Sequence, residues 1–552
     1  MRILAVLSVS ASLLMYGRVA VAAPAGAMQA QNTVPASNGN CERLASLELP
    51  NASITSATAV AAGTFDGPRQ AFTGADMSAL YKILPAFCRI VVQAKPSADS
   101  NIGVEVWIPL HGWNGKLQGL GNGGFAGIID EVGLGAALAK GYAVAATDAG
   151  HLGSPIEAAW ALGHPEKVVD FGHRGIHEMT RIAKIVVQQF YGTAPKRSYF
   201  DGCSDGGREA LMEAQRYPDD YDGILAGAPA NYWTGLLSLA VADTQALTAT
   251  PASFIPPAKI PTISAAVLAA CDKLDGVDDG ILNDPRQCHF DPASIECKAG
   301  ENSDKCLTTE QVSTLKQIYA GISDSKGHAI FPGYLPGAES GDGGWGLWIT
   351  GPAPARSLMA MFGIGYYSNM VYEKSDWTYK SFTLDSGMPA AKGKTAAALD
   401  AVNPDLSAFR AHGGKLILYH GWDDPAIPAR NTVNYYQDVI AKMGRADTDS
   451  FARLYMVPGM QHCGGGPGPD TFGAFAGSLS NDPQRNIVIA LENWVEKGTA
   501  PNTIIASKTA DGKPQGAVTM TRPLCPYPKA ARYKGTGDTN SAENFICAGP
   551  DK

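Results

Sequence analysis

From about residue 100 onward, short apolar segments alternate with helical ones, and this rhythm restricts the chain to a sheet covered by helices on both faces. Residues 102–108 alternate apolar and polar side chains like a strand. Residues 116–120 lead into the glycine-rich run Gly121-Asn122-Gly123-Gly124-Phe125-Ala126-Gly127. A short apolar strand follows at 142–146. Ile176, Met179, Ile182, Ala183, Val186, Val187 and Phe190 then recur at helical spacing, with Gly192 placed to end that helix. Strands at 197–201 and 221–226 flank a sharp turn and a helix over 207–216. The pattern resumes with strands at 415–419 and 452–456 and helices at 432–443 and 486–497. The expected class is α/β with a mostly parallel sheet.

The chain has 552 residues, more than one hydrophobic core usually serves. Between 230 and 395 the strand–helix rhythm fails, and cysteines, glycines, prolines and aromatics accumulate. This reads as a large inserted lid domain, which splits the core into 23–229 and 396–552. At the N-terminus, Arg2, an apolar run from Ile3 to Met15 and Ala20-Val21-Ala22 form an export-signal pattern over 1–22. No later segment reads as a convincing transmembrane helix. A net charge of −8 gives no electrostatic reason to expect nucleic acid or an anionic membrane as partner. The expected location is therefore secreted or periplasmic.

The ten cysteines agree with export, since an even count without a C-x-x-C pair favours disulfides over metal thiolates. The simplest local pairs are Cys271–Cys288, Cys297–Cys306 and Cys525–Cys547, although sequence alone leaves connectivity open.

Gly202-Cys203-Ser204-Asp205-Gly206 fits G-x-S-x-G and lies between a predicted strand and a predicted helix, the context that gives this motif meaning. Such a turn exposes the serine hydroxyl and sets the next amide, on Asp205, at a helix N-terminus, where it can donate to an oxyanion. A serine needs a base. His462, in Gly459-Met460-Gln461-His462-Cys463, is the best-placed histidine. The acid expected between them is Asp424, with Asp423 as runner-up, both in the turn after the strand at 415–419. The 121–127 run is the natural second oxyanion loop, with Gly124 the first choice and Gly123 the second. Cys203 precedes Ser204 and Cys463 follows His462. If these two cysteines pair, nucleophile and base are held within hydrogen-bonding reach.

A second cluster lies in the insertion. Asp272, Asp275 and Asp279, with the carbonyls of Val277 and Ile281, form an oxygen-rich, glycine-punctuated loop suited to a hard cation, Ca²⁺, in a structural role.

Together these segments resemble the tannase/feruloyl esterase family: Gly202 to Gly207, Gly121 to Gly124, Tyr217 to Gly223, the 272–281 loop, and Gly459 to Cys463. The resemblance covers nearly the whole mature chain. It implies an α/β-hydrolase core, a lid-bound Ca²⁺, a Cys203–Cys463 bridge beside the triad and, as a fifth bridge, Cys41–Cys88. It also implies small aromatic-ester substrates, with feruloyl (hydroxycinnamoyl) esters foremost and galloyl esters or a terephthalate monoester as alternatives. The terephthalate branch uses a lid arginine. The segment from Ser357 to Phe362 contains none, and Arg356 lies just outside it. Trp345, Trp348 and Phe362 are candidates to stack on the acyl ring. An alternative of another class is an inactive hydrolase fold acting as a binding protein.

Overall fold

The computed structural model describes residues 41–549 apart from 71–73, 302, 475–479 and 511, and these belong to one compact unit. The predicted export signal and the polar leader up to residue 40 lie outside the described residues.

Nine strands form the central sheet: β1 (Ala52–Val60), β2 (Phe87–Ala94), β3 (Ile102–Pro109), β4 (Lys116–Leu120), β5 (Ala143–Thr147), β6 (Arg197–Cys203), β7 (Gly223–Gly227), β8 (Lys415–Gly421) and β9 (Ala452–Val457). Their spatial order is β1-β2-β3-β5-β4-β6-β7-β8-β9. Pairings from β5 through β9 are parallel, whereas β1, β2, β3 and β5 pair antiparallel. The mostly parallel α/β sheet expected from the sequence is what forms. β5 and β7 are buried along their whole length, as befits strands covered on both faces.

Three helices of eight residues or more precede the insertion among the described residues: α1 (Glu131–Leu138), α2 (Gly175–Tyr191) and α3 (Asp205–Arg216). Within it lie α4 (Trp233–Thr248), α5 (Ile260–Cys271), α6 (Thr309–Ala320) and α7 (Leu358–Tyr366). Helices α8 (Arg430–Met443) and α9 (Ile487–Lys497) follow. Ile176, Met179 and Ile182 of α2, Leu211 of α3 and Val433 of α8 pack on one face of the sheet. Leu134 and Leu138 of α1 and Leu491 and Trp494 of α9 pack on the other. Gly192, at φ 72°, ends α2 in the left-handed conformation that favours glycine.

Among the described residues the insertion contributes no strand to the large sheet. It builds a separate apolar core from α4 to α7, which also takes in Phe125 of the glycine-rich loop. One helical run in it, Pro251–Asp275, is long and apolar enough to cross a membrane by length and composition. That run is not one α-helix: 3₁₀ turns flank α5, Ile263 and Val267 of α5 are fully buried in the insertion's core, and Cys271 is bridged to Cys288.

All ten cysteines are paired, as Cys41–Cys88, Cys203–Cys463, Cys271–Cys288, Cys297–Cys306 and Cys525–Cys547.

Candidate active site

Strand β6 delivers Ser204 into a turn that the sequence must strain to make. Ser204 has φ 69° and ψ −119°, a left-handed conformation costly for a residue with a side chain. Two bonds hold it there: its amide donates to Gly227 O at 3.0 Å, and its carbonyl accepts from the Ala230 amide at 3.1 Å. Gly202 is required because a Cβ there would lie 2.5 Å from Gly206 O. Helix α3 starts at Asp205, two residues earlier than the sequence pattern indicated, so the Asp205 amide is the first of the helix and has no intrahelical acceptor.

His462 Nε2 lies 2.9 Å from Ser204 Oγ, and His462 Nδ1 lies 2.9 Å from Asp424 Oδ2. An acceptor-only carboxylate at Nδ1 fixes the proton on that nitrogen and leaves Nε2 free to accept from the serine hydroxyl. Asp424 is fully enclosed. Its Oδ1 accepts the amides of Ala426 and Ile427, at 2.8 and 2.9 Å. Burial alone would raise its pKa. The positive potential of His462, with hydrogen bonds from His420 and His462, outweighs burial and holds the carboxyl well below the usual carboxylate range.

Asp423, the runner-up for the acid, makes no hydrogen bond to His462, whose Nδ1 is taken by Asp424. It is buried near Glu339, and burial, reinforced by that carboxyl, pushes its pKa well up. The sequence reading missed His420. Its Nε2 lies 3.1 Å from Asp424 Oδ2 and 3.0 Å from Ile427 O, while its Nδ1 lies 2.7 Å from Thr432 Oγ1. A carbonyl can only accept, so Nε2 carries the proton and also faces Asp424 Oδ2, the oxygen that His462 meets. The available signal was the four-residue spacing from His420 to Asp424 at the end of β8.

Cys203 and Cys463 are bonded, with their Cα atoms 6.1 Å apart. The bridge therefore joins the residues next to the nucleophile and next to the base.

The 121–127 loop packs directly on this turn. Gly206 N donates to Asn122 O at 2.8 Å, and a Cβ on Gly121 would lie 2.6 Å from Gly206 Cα. Gly124 has φ 60°, and its amide makes no hydrogen bond to the described residues. This arrangement sets unengaged amides, those of Asp205 and Gly124, in the two segments that meet at Ser204.

Of the three aromatic candidates, Trp348 meets the His462 ring edge-on at 4.9 Å. Phe362 stacks beyond Trp348 and also meets Phe125, with centroids 6.5 and 5.2 Å away. Trp345 differs: it is fully buried against Tyr319 and Tyr334 and has no exposed face to offer a ligand. Its place in the insertion's core corrects the expectation of a substrate contact.

The acidic loop is also gathered. Asp275, Val277, Asp279 and Ile281 line one small cavity together with Arg522, from a strand over Val518–Leu524 that pairs antiparallel with Ile504–Thr509. Asp272 accepts the Gly280 amide, Asp275 accepts those of Val277 and Asn283, and Asp279 pairs with Arg522. Among the described residues no cluster of three or more His, Cys, Asp or Glu side chains stands in a metal-holding arrangement. The chemistry of the donors still fits a hard cation. Every donor is oxygen, and burial, the amide bonds notwithstanding and with Asp279 and Asp272 adding to it, pushes Asp275 up to about 6.

A family profile described as Tannase and feruloyl esterase matches residues 88–548. The chain belongs to the tannase and feruloyl esterase family. As a member of it, the protein is a carboxylic ester hydrolase. It is 41% identical over 542 residues to an uncharacterized esterase of Xanthomonas campestris pv. campestris, covering 93% of this chain and 92% of that one. A probable feruloyl esterase B of Aspergillus clavatus is 34% identical over 509 residues, covering 91% and 94%. The crystal structure of feruloyl esterase B from Aspergillus oryzae superposes with a TM-score of 0.83 at 29% identity, covering 92% of this chain and 99% of that one. The family's α/β-hydrolase fold agrees with the parallel sheet and the strand–turn–helix at Ser204.

Proposed function

We propose that the protein is a secreted serine esterase acting on esters of aromatic acids, with feruloyl and other hydroxycinnamoyl esters as its principal substrates. The observation that carries this reading is the continuous Ser204–His462–Asp424 hydrogen-bonded chain lying beneath the aromatic wall of Trp348 and Phe362.

In the first step Ser204 Oγ attacks the ester carbonyl while its proton passes to His462 Nε2. Asp424 stabilises the imidazolium through Nδ1–H. The amides of Asp205 and Gly124 donate to the oxygen that becomes negative. His462 then gives its proton to the departing alcohol, leaving an acyl-Ser204 ester. A water, deprotonated by His462, attacks that ester. The acid leaves, and Ser204 regains its proton. Trp348 offers a ring face beside the base, where an aromatic acyl group can pack.

Secretion is supported by the signal pattern at 1–22 and by five disulfides. A structural Ca²⁺ would be held by Asp272, Asp275, Asp279 and the carbonyls of Val277 and Ile281. It would neutralise the buried carboxylates and brace the insertion, and it takes no part in ester cleavage.

The deciding experiment measures turnover of methyl ferulate, methyl caffeate, methyl gallate and a terephthalate monoester, with Ser204→Ala as control. Fastest turnover of the hydroxycinnamates supports this reading. A preference for gallate or the terephthalate ester reassigns the substrate, and full activity of Ser204→Ala rejects the mechanism.

A further inference from the structure

The buried carboxyl of Glu209 has no part in the steps above, yet it lies one helical turn behind the nucleophile. Glu209 is on α3 and is completely enclosed. Its Oε2 accepts the main-chain amide of Asn122 at 2.7 Å. The carbonyl of the same Asn122 accepts from Gly206 N, also on α3, at 2.8 Å. Both main-chain polar groups of Asn122 are thus tied to the helix that begins beside Ser204. On its other side the Asn122 side-chain amide donates to Thr147 O at 2.8 Å, anchoring the loop to the end of β5.

We infer that Glu209 is a positioning residue that sets the distance between the glycine-rich loop and the nucleophile turn, and so aligns the two amide donors with the reacting carbonyl. This rests on the proposed roles of Ser204 and of the Asp205 and Gly124 amides. The Gly121–Gly206 contact leaves no room for a side chain at either position, so the loop is held to α3 by the Gly206–Asn122 main-chain bond and by the Glu209 carboxyl. The acceptor for Asn122 N comes from α3, as the Glu209 carboxyl. An oxyanion donor displaced by about 1 Å loses on the order of a hundredfold in rate, so a bond that fixes the loop acts on the chemical step. Burial, reinforced by the charge of Asp205, pushes the Glu209 carboxyl well above the usual range despite Arg208 and the Asn122 amide. A glutamine keeps a side-chain oxygen that can accept the same Asn122 amide.

The test compares Glu209→Met, similar in shape but lacking an oxygen, with Glu209→Gln. The methionine variant is expected to lose about ten- to a hundredfold in kcat on methyl ferulate, with KM changed less than about threefold. Its affinity for an arylboronic acid, which forms a tetrahedral adduct on serine, should fall in parallel. The glutamine variant should stay within about threefold of wild type in kcat. An unchanged kcat in Glu209→Met overturns the inference, as does a loss expressed in KM alone or a failure of Glu209→Gln to restore kcat. Hydrogen exchange on the wild-type enzyme tests the bond without any variant. The Asn122 amide should be as protected as those of α3, and exchange at the rate of an open loop overturns the inference even if Glu209→Met does not fold. Ser204→Ala separates the two levels. If it retains activity, the proposed function itself fails; if it is inactive while Glu209→Met behaves as wild type, only the role of Glu209 fails.

Discussion

Cys203 and Cys463 are covalently joined across 260 residues of sequence, each immediately beside a member of the Ser204–His462 pair. The bridge limits how far nucleophile and base can separate, whatever the loops around them do. Breaking it is expected to reduce turnover more than substrate binding. Cys203 and Cys463 replaced together by serine should lower kcat by at least about tenfold while KM moves less than about threefold. Steady-state kinetics at matched folded fraction checks this, and an unaltered kcat counts against the bridge as an aligning device.

Replacing Ser204 by Ala or His462 by Ala should lower kcat by about 10⁴-fold or more, and Asp424→Asn should come close to that, because the amide removes the anion that fixes the His462 tautomer. Folding is checked by thermal melting. A mild effect of Asp424→Asn would pass its role to another acid.

Asp148 gives a pH signature of stability. Burial, opposed by the amides of Gly150 and Gly103, raises its pKa to about 7. In the unfolded chain it titrates near 4. A raised carboxyl favours folding when protonated. Its contribution is therefore complete below about pH 4, declines as pH rises, and is gone above about 7. Asp148→Asn keeps an oxygen for the Gly103 and Gly150 amides, which Oδ1 accepts at 2.9 and 2.8 Å. The melting temperature of the variant relative to wild type should rise from pH 4 to 7 and then level off. A difference independent of pH would refute the assignment.

Trp348→Ala should raise KM for methyl ferulate by about tenfold, the scale of one lost aromatic contact, while KM for an acetyl ester moves far less. Equal effects on both esters would make Trp348 a support for His462 and not a wall for the acyl ring.

Metal analysis of the purified protein should find about one Ca²⁺ per chain, reduced in Asp275→Ala, and chelation should lower the melting temperature. Native protein free of calcium would reject the site.

Much of this architecture was legible from residue order alone. β4 spans 116–120 as read, and β3, β6, β8 and β9 begin at the residues where the sequence placed them, because buried strands carry a strong apolar signal. Ser204, Asp424 and His462 stood out because a strained turn and two strand-end loops demand particular residues. β1 was not legible: its serines and threonines lie at the sheet edge, mostly exposed, and carry little apolar signal. Trp345 and Trp348 are three residues apart and alike in chemistry, so only packing distinguishes the buried ring from the one beside His462. Glu209 and His420 escaped notice because each acts through a partner distant in sequence or hidden in a turn.

β7 and β8 are direct neighbours, paired from Gly223 against Lys415, although the whole insertion lies between them in sequence. The chain leaves the sheet and returns to the adjacent slot, so strand registration does not depend on what is threaded through the gap. Changes of length within the insertion can therefore be accommodated without a shift of β7 against β8.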